Sequence, residues 1–201
     1  GQNSSKVTIR GIINRGGEQG AQHSQALHAW FAHIPGLQVV MPYSVSDARD
    51  LLIASVMSDE PVIFIDDRWL YDDEAELKDI EEVSLETQGP IVLEEGADLT
   101  IVGSSFSTKL GLLSAKELAK IGINAEVVDS RVISPFKPEK VINSVMKTGR
   151  LLVIDGGWAA CGFSGEVITQ VVERLAPSYF ACAPQRVTLP AYAAPTSSVL
   201  E

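Results

Sequence analysis

Short apolar runs recur along this chain with amphipathic stretches between them. That alternation constrains the fold more than any other feature. Val7 to Ile13 (VTIRGII), Leu37 to Met41 and Pro61 to Ile65 (PVIFI) each have the length of a buried strand. Between the first two, Ser24 to His33 reads as a helix that must stop by Pro35. A second helix opens at Ser46, its expected cap. Asp47 follows in the first turn, and Ala48, Leu51, Leu52, Ser55 and Val56 recur at helical spacing. Strands and helices alternating over short connections imply a parallel sheet.

From Asp66 to Pro90 the pattern breaks. Carboxylates crowd this stretch against two cations, Arg68 and Lys78, which reads as an exposed linker between domains. A second alternating unit follows. Its strands are expected at Leu99 to Gly103, Ala125 to Val128, Leu151 to Ile154 and Gln185 to Leu189. Its helices are expected at Thr108 to Lys120, with Leu110, Leu113, Leu118 and Ile121 inward, at Pro138 to Met146 and at Gly165 to Leu175. The fold class is therefore α/β, divided at residues 1–88 and 89–201. Three strands and two helices are few for a self-sufficient doubly wound domain, so an N-terminal part is expected to be missing.

Charge narrows the functions. The formal net charge is −10 and no Lys/Arg-rich run occurs, which argues against nucleic-acid binding and against anionic membrane surfaces. No apolar run reaches the roughly 18–20 residues of a membrane span. Residues 1–20 lack a secretory signal pattern. Cys161 and Cys182 read as reduced thiols, so the expected compartment is the cytoplasm, or the mitochondrial matrix after removal of a transit peptide.

All the histidines, His23, His28 and His33, fall within one short stretch. Spacings of five put successive ones about 140° apart on a helix, so they share no face and make no zinc site. His23 stands where a glycine-rich loop (GGEQGAQ) runs into the expected helix. An imidazole there can exchange hydrogen bonds with a bound anion or carbonyl, or can simply cap the helix. His33 is expected to complement the helix C-terminus, and His28 to lie on the surface or at an interface. Gly156, Gly157, Gly162 and Gly165 form a second glycine cluster, but Phe163 stands where a phosphate loop needs lysine. A tight turn with close helix packing is the expected reason for these glycines. Cys161 lies in that turn, and no histidine follows His33 to serve as its base, so it is not read as a nucleophile.

Several longer motifs carry a resemblance. Gln22–Gln25 (QHSQ), His33–Leu37 (HIPGL), Trp30–Phe31 and Pro61–Phe64 (PVIF) are similar to the β subunit of thiamine-diphosphate-dependent 2-oxoacid dehydrogenases. Asp129–Phe136 (DSRVISPF), the strand ending in Asp155 with Gly157–Trp158, Gly162–Val167 (GFSGEV) and Ala194–Ser197 resemble the transketolase C-terminal domain. The resemblance implies the distal half of a pyrimidine-binding domain followed by a transketolase C-terminal-like domain. It implies thiamine diphosphate with Mg²⁺ bound between subunits, the diphosphate and metal on α and the aminopyrimidine on β, mostly outside this chain, in which no cofactor-binding or metal-ligating residue is assigned. It implies an α subunit, a second β subunit and a lipoyl-bearing acyltransferase core as partners. The implied activity is decarboxylation of a 2-oxo acid with acyl transfer to a lipoyl carrier. The family's histidine of the QHS motif maps onto His23, which is thereby the candidate catalytic residue. The glutamate that activates the aminopyrimidine would lie before residue 1. The alternatives are a transketolase or deoxyxylulose-phosphate synthase, and a non-catalytic oligomerisation module.

Overall fold

The computed structural model describes residues 5–14, 20–77, 79–80 and 83–194. The aliphatic runs of the first unit become strands β1 (Thr8–Ile13), β2 (Gln38–Val40) and β3 (Val62–Asp67). Both β1 and β2 pair in parallel with β3. Around them lie α1 (His28–Ala32) and α2 (Val45–Met57). The second unit holds β4 (Ile91–Glu94), β5 (Leu99–Gly103), α3 (Phe106–Ala119), β6 (Ala125–Asp129), β7 (Val132–Ser134), α4 (Glu139–Thr148), β8 (Leu151–Trp158), α5 (Phe163–Val172) and β9 (Gln185–Leu189). Five of these strands form one sheet in the order β4-β6-β5-β8-β9, parallel except for β4. The exception is β7, which turns back and pairs antiparallel with β2, giving the first sheet the order β1-β3-β2-β7.

Alternate residues of the central strands serve opposite faces. Ile101, Val127 and Ile154 cluster with Ala115 of α3. Their neighbours Val102, Val128 and Val153 cluster with Val141 and Val145 of α4 and with Val167 and Val171 of α5. Helices therefore cover both faces, as a parallel sheet requires. The second cluster also contains Ile13, Val39, Met41, Ile63 and Ile65, so the two halves share one core.

Several expected elements are corrected. The helix expected over Ser24–His33 shrinks to the five residues of α1, preceded by a 3-10 turn at Ala21–His23. Ser24 is buried and its hydroxyl donates to the Gly20 carbonyl at 3.0 Å, closing that turn instead of starting a helix. The cap of α2 is Ser44, not Ser46, for the Ser44 hydroxyl accepts from the Asp47 amide at 3.1 Å. Val56 is exposed, and Leu51, Ala54 and Ser55 face inward. In α3 the inward stripe is Ser107, Thr108, Gly111 and Ala115, with Leu118 packed partly buried beside it, whereas Leu110 and Leu113, and Ile121 beyond the helix, are exposed. The cause is close packing: a Cβ on Gly111 would come within 3.2 Å of Ile101 Cγ2 and 3.3 Å of Val127 Cγ1. No leucine fits there. The acidic stretch begins inside β3, since Asp66 and Asp67 pair with Ile12 and Ile13. Strands β4 and β7 are additions to the expected set.

Candidate functional site

The carboxyl ends of the parallel strands from both sheets converge. Ile13 ends β1 and Asn14 follows it, Met41 follows β2, and Asp67 ends β3; with Ser104, Ser107, His28, Asp155 and Gly156 they line one small chamber. Order reverses between β5 and β8, and crevices at such reversals are where open α/β sheets place ligands.

His28 is not a surface residue. Its side chain is 2% exposed and its Nε2 lies 2.9 Å from Asp155 Oδ1, itself 2% exposed. The pair joins α1 of the first half to β8 of the second. Asp155 also accepts from the Gly157 amide at 2.9 Å and the Ser164 amide at 2.8 Å. Burial alone would raise its carboxyl. The hydrogen bond and charge of His28, with the two amides, outweigh burial and hold it at about 2. His28 Nδ1 is buried, with no hydrogen-bond partner among the described residues. The turn carrying these groups is tight: a Cβ on Gly162 would lie 2.1 Å from the Trp158 carbonyl oxygen. Close approach is thus the reason for glycine there.

A second network surrounds His23. Asp67 is buried, and burial pushes its carboxyl up to about 6 against the hydrogen bonds that it accepts from Trp69 and Asn14. Those bonds are 3.0 Å from the Trp69 amide and 2.5 Å from Asn14 Nδ2. Trp69 stacks on Phe106 with ring centroids 5.6 Å apart. Between Asp67 and Trp69, Arg68 donates through Nη1 to the carbonyls of Asn14 and, at 2.6 Å, of His23. His23 closes the 3-10 turn, its amide donating to the Gly20 carbonyl at 3.2 Å. Its side chain is exposed, with Nε2 at 3.2 Å from Gln22 Nε2. His23 thus sits ahead of α1 and not at its N-terminus, which removes the helix-end rationale for its placement.

The sequence pattern singles out His23 as a candidate and does not single out Asn14, Asp67, Arg68 or the buried contact of His28. Asp155 entered it only as part of a motif. His33 is exposed at the end of α1, and Cys161 is exposed with a φ of 54°. Both line a groove of about 610 Å³ between α1 and α5. Among the described residues, no three His, Cys, Asp or Glu side chains converge as a metal site, and no helix is long and apolar enough to cross a membrane.

A cavity of about 230 Å³ opens beside this network, walled by Trp69, Phe106, Leu110, Ile154, Val187 and Leu189, with Asn14, Ser24, Ser107 and Asp155 as polar members. It is smaller than the roughly 300 Å³ at which drug-sized sites begin. Its charged lining residue is a carboxylate, which repels a diphosphate. The residues here do not fit a complete thiamine diphosphate site. The QHSQ turn and the buried pair are what this chain brings.

Comparison with known proteins identifies the two parts of the chain. Residues 1–73 match the model for the transketolase pyrimidine-binding domain, and residues 89–201 the model for the transketolase C-terminal domain. The pyruvate dehydrogenase E1 component subunit beta of Rhizobium meliloti is 35% identical over 174 residues, covering 87% of this chain and 38% of the relative. The mitochondrial subunit of Dictyostelium discoideum is 40% identical over 158 residues, 77% of this chain and 44% of the relative. That of Saccharomyces cerevisiae is 35% identical over 192 residues, 94% and 52%. The chain thus spans about half, or less, of the relatives it matches. In structure it resembles a split-gene transketolase described as an inactive beta4 tetramer, with a TM-score of 0.72 and 24% identity over 91% of this chain and 56% of that one. A transketolase from Pichia stipitis gives 0.64 and 20% over 94% and 26%. At these identities the structural likeness shows the fold.

Proposed function

The chain belongs to the transketolase family, and from that premise we propose that it is part of the β subunit of a thiamine-diphosphate-dependent 2-oxoacid dehydrogenase. Residues 1–88 are read as the distal half of the pyrimidine-binding domain with its acidic linker, and residues 89–201 as the C-terminal domain. The whole enzyme decarboxylates a 2-oxo acid and passes the acyl group to a lipoyl carrier. The cofactor, with Mg²⁺, supplies the carbanion chemistry when bound, and the groups that hold it lie mostly outside this chain. An α subunit, a second β subunit and a lipoyl-bearing acyltransferase core are the partners, in the cytoplasm or the mitochondrial matrix.

One observation carries the role of His23. Its backbone is tied at both the amide and the carbonyl while its imidazole stays exposed. A side chain so fixed can meet a group arriving from outside and hold or move a proton at a ring nitrogen. The likeness to pyruvate dehydrogenase β subunits at 35–40% identity supports the reaction class.

The test uses this chain within its complete enzyme. His23→Ala keeps cofactor binding and loses acceptor-dependent turnover by about 10²–10⁴-fold, the usual range for a lost proton-transfer group. Unchanged turnover with a lipoyl acceptor discards the role of His23. Products from sugar phosphates, with none from 2-oxo acids, discard the reaction class.

A further inference from the structure

We propose that Arg68 is a positioning residue for His23. This rests on the functional reading of His23, but its physical basis is independent of that reading. The guanidinium nitrogen Nη1 donates to two carbonyls: that of Asn14, just past the end of β1, and that of His23, at the end of the 3-10 turn. One cation therefore ties the end of β1 to the turn that carries His23.

Arg68 is itself held in place. Asp67, 3% exposed, anchors the turn that follows β3 by accepting from the Trp69 amide. Trp69 stacks on Phe106, the first residue of α3. Asn14, with φ at 60°, is tied to the same Asp67 through its side chain. The C-terminal half thus braces the turn that carries Arg68, and Arg68 braces the turn that carries His23. A guanidinium suits this task because its planar fork is pre-organised and always charged, and charge-assisted hydrogen bonds to carbonyls are strong. The pattern contradicts the local reading of Arg68 as one cation in a solvated acidic linker.

The inference predicts two separable effects of Arg68→Met, which keeps the apolar stem and removes the donors. Amide exchange of residues 20–24, measured by deuterium uptake in the assembled enzyme, rises by about 10-fold or more, the scale of one lost charged hydrogen bond. Acceptor-dependent kcat falls about 10- to 100-fold with KM for the 2-oxo acid unchanged. Arg68→Lys, which keeps a charge and three donors, recovers part of both. Adding His23→Ala to Arg68→Met lowers kcat no further than His23→Ala alone, because the clamp acts through the histidine.

Exchange equal to the parent in Arg68→Met overturns the clamp. Faster exchange with fully multiplicative kcat losses in the double variant overturns positioning through His23. Unchanged turnover in His23→Ala removes the catalytic reading of the histidine by itself, and the clamp is then decided by the exchange rates. A loss of folding in Arg68→Met would appear as faster exchange throughout β5 and β6; faster exchange confined to residues 20–24 supports the proposal.

Discussion

Replacing Asp155 by asparagine tests whether the buried pair between the halves holds the fold together. The carboxylate accepts from His28 and Gly157 on one oxygen and from Ser164 on the other. Asparagine offers one acceptor and places an NH₂ group against a donor whichever way it turns. Losing a buried hydrogen bond to a carboxylate and leaving its donor unsatisfied costs about 1.5–3 kcal/mol. For a chain of this length that corresponds to a fall in Tm of roughly 5–10 °C. The pH profile gives a second reading. The Asp155 carboxyl moves from 3.8 to about 2 on folding. A depressed carboxyl contributes stability that is fully present above its unfolded value and is lost as pH falls through its folded value. The contribution is about 2 kcal/mol, and it disappears between about pH 5 and pH 2. Urea unfolding at pH 7 and at steps down to pH 2.5 measures both effects. Asp155→Asn should unfold at markedly lower urea at pH 7 and show a shallower acid slope than the parent. A variant within about 0.5 kcal/mol of the parent, with the acid slope intact, would refute the pair's structural role.

Two further outcomes follow from the same physics. Asp129 is wholly buried, and its Oδ1 accepts from the Thr108 hydroxyl at 2.8 Å. Burial raises its carboxyl to about 7 from 3.8. The folded chain then keeps a proton that the unfolded chain releases, so stability falls as pH rises from about 4 to 7, by up to about 4 kcal/mol. Asp129→Asn, which mimics the protonated group, should flatten that fall and exceed the parent's urea midpoint at pH 8; an unchanged slope would contradict it. Gly162→Ala drives a Cβ to 2.1 Å from the Trp158 carbonyl oxygen. It should lower stability by about 3 kcal/mol or more, read as Tm; a normal Tm would show that the turn yields.

Strands were more legible than helices in this sequence, for a physical reason. Leu99–Gly103 is found where its apolar run puts it, because buried parallel strands need continuous apolar residues, and Gln185–Leu189 (QRVTL) is found as expected but as a largely exposed edge strand. Helix faces misled. In α3 the spacing suggests Leu110, Leu113 and Leu118 as the inner face; Leu118 does pack against the core, but the sheet lies so close that Gly111, Ala115, Ser107 and Thr108 occupy the centre of that face. Size, not hydrophobicity, decides the face when packing is tight. His28 was misplaced for another reason. Its burial depends on Asp155, 127 residues later, and no local pattern encodes that pairing.

The acidic stretch shows where composition stops being informative. Read by charge it is a solvated linker, and most of 72–77 and 79–80 is indeed exposed. Its first three residues behave otherwise because β3 continues two positions beyond its apolar run. Asp66 pairs with Arg10 of β1, Asp67 is buried against Asn14, and Arg68 is delivered to the carbonyls of Asn14 and His23. In a parallel sheet, groups just past the carboxyl end of a strand are the ones aimed into the crevice. A strand that outlasts its hydrophobic pattern therefore carries polar residues into the site, and the charges that look like linker become the frame for the histidine.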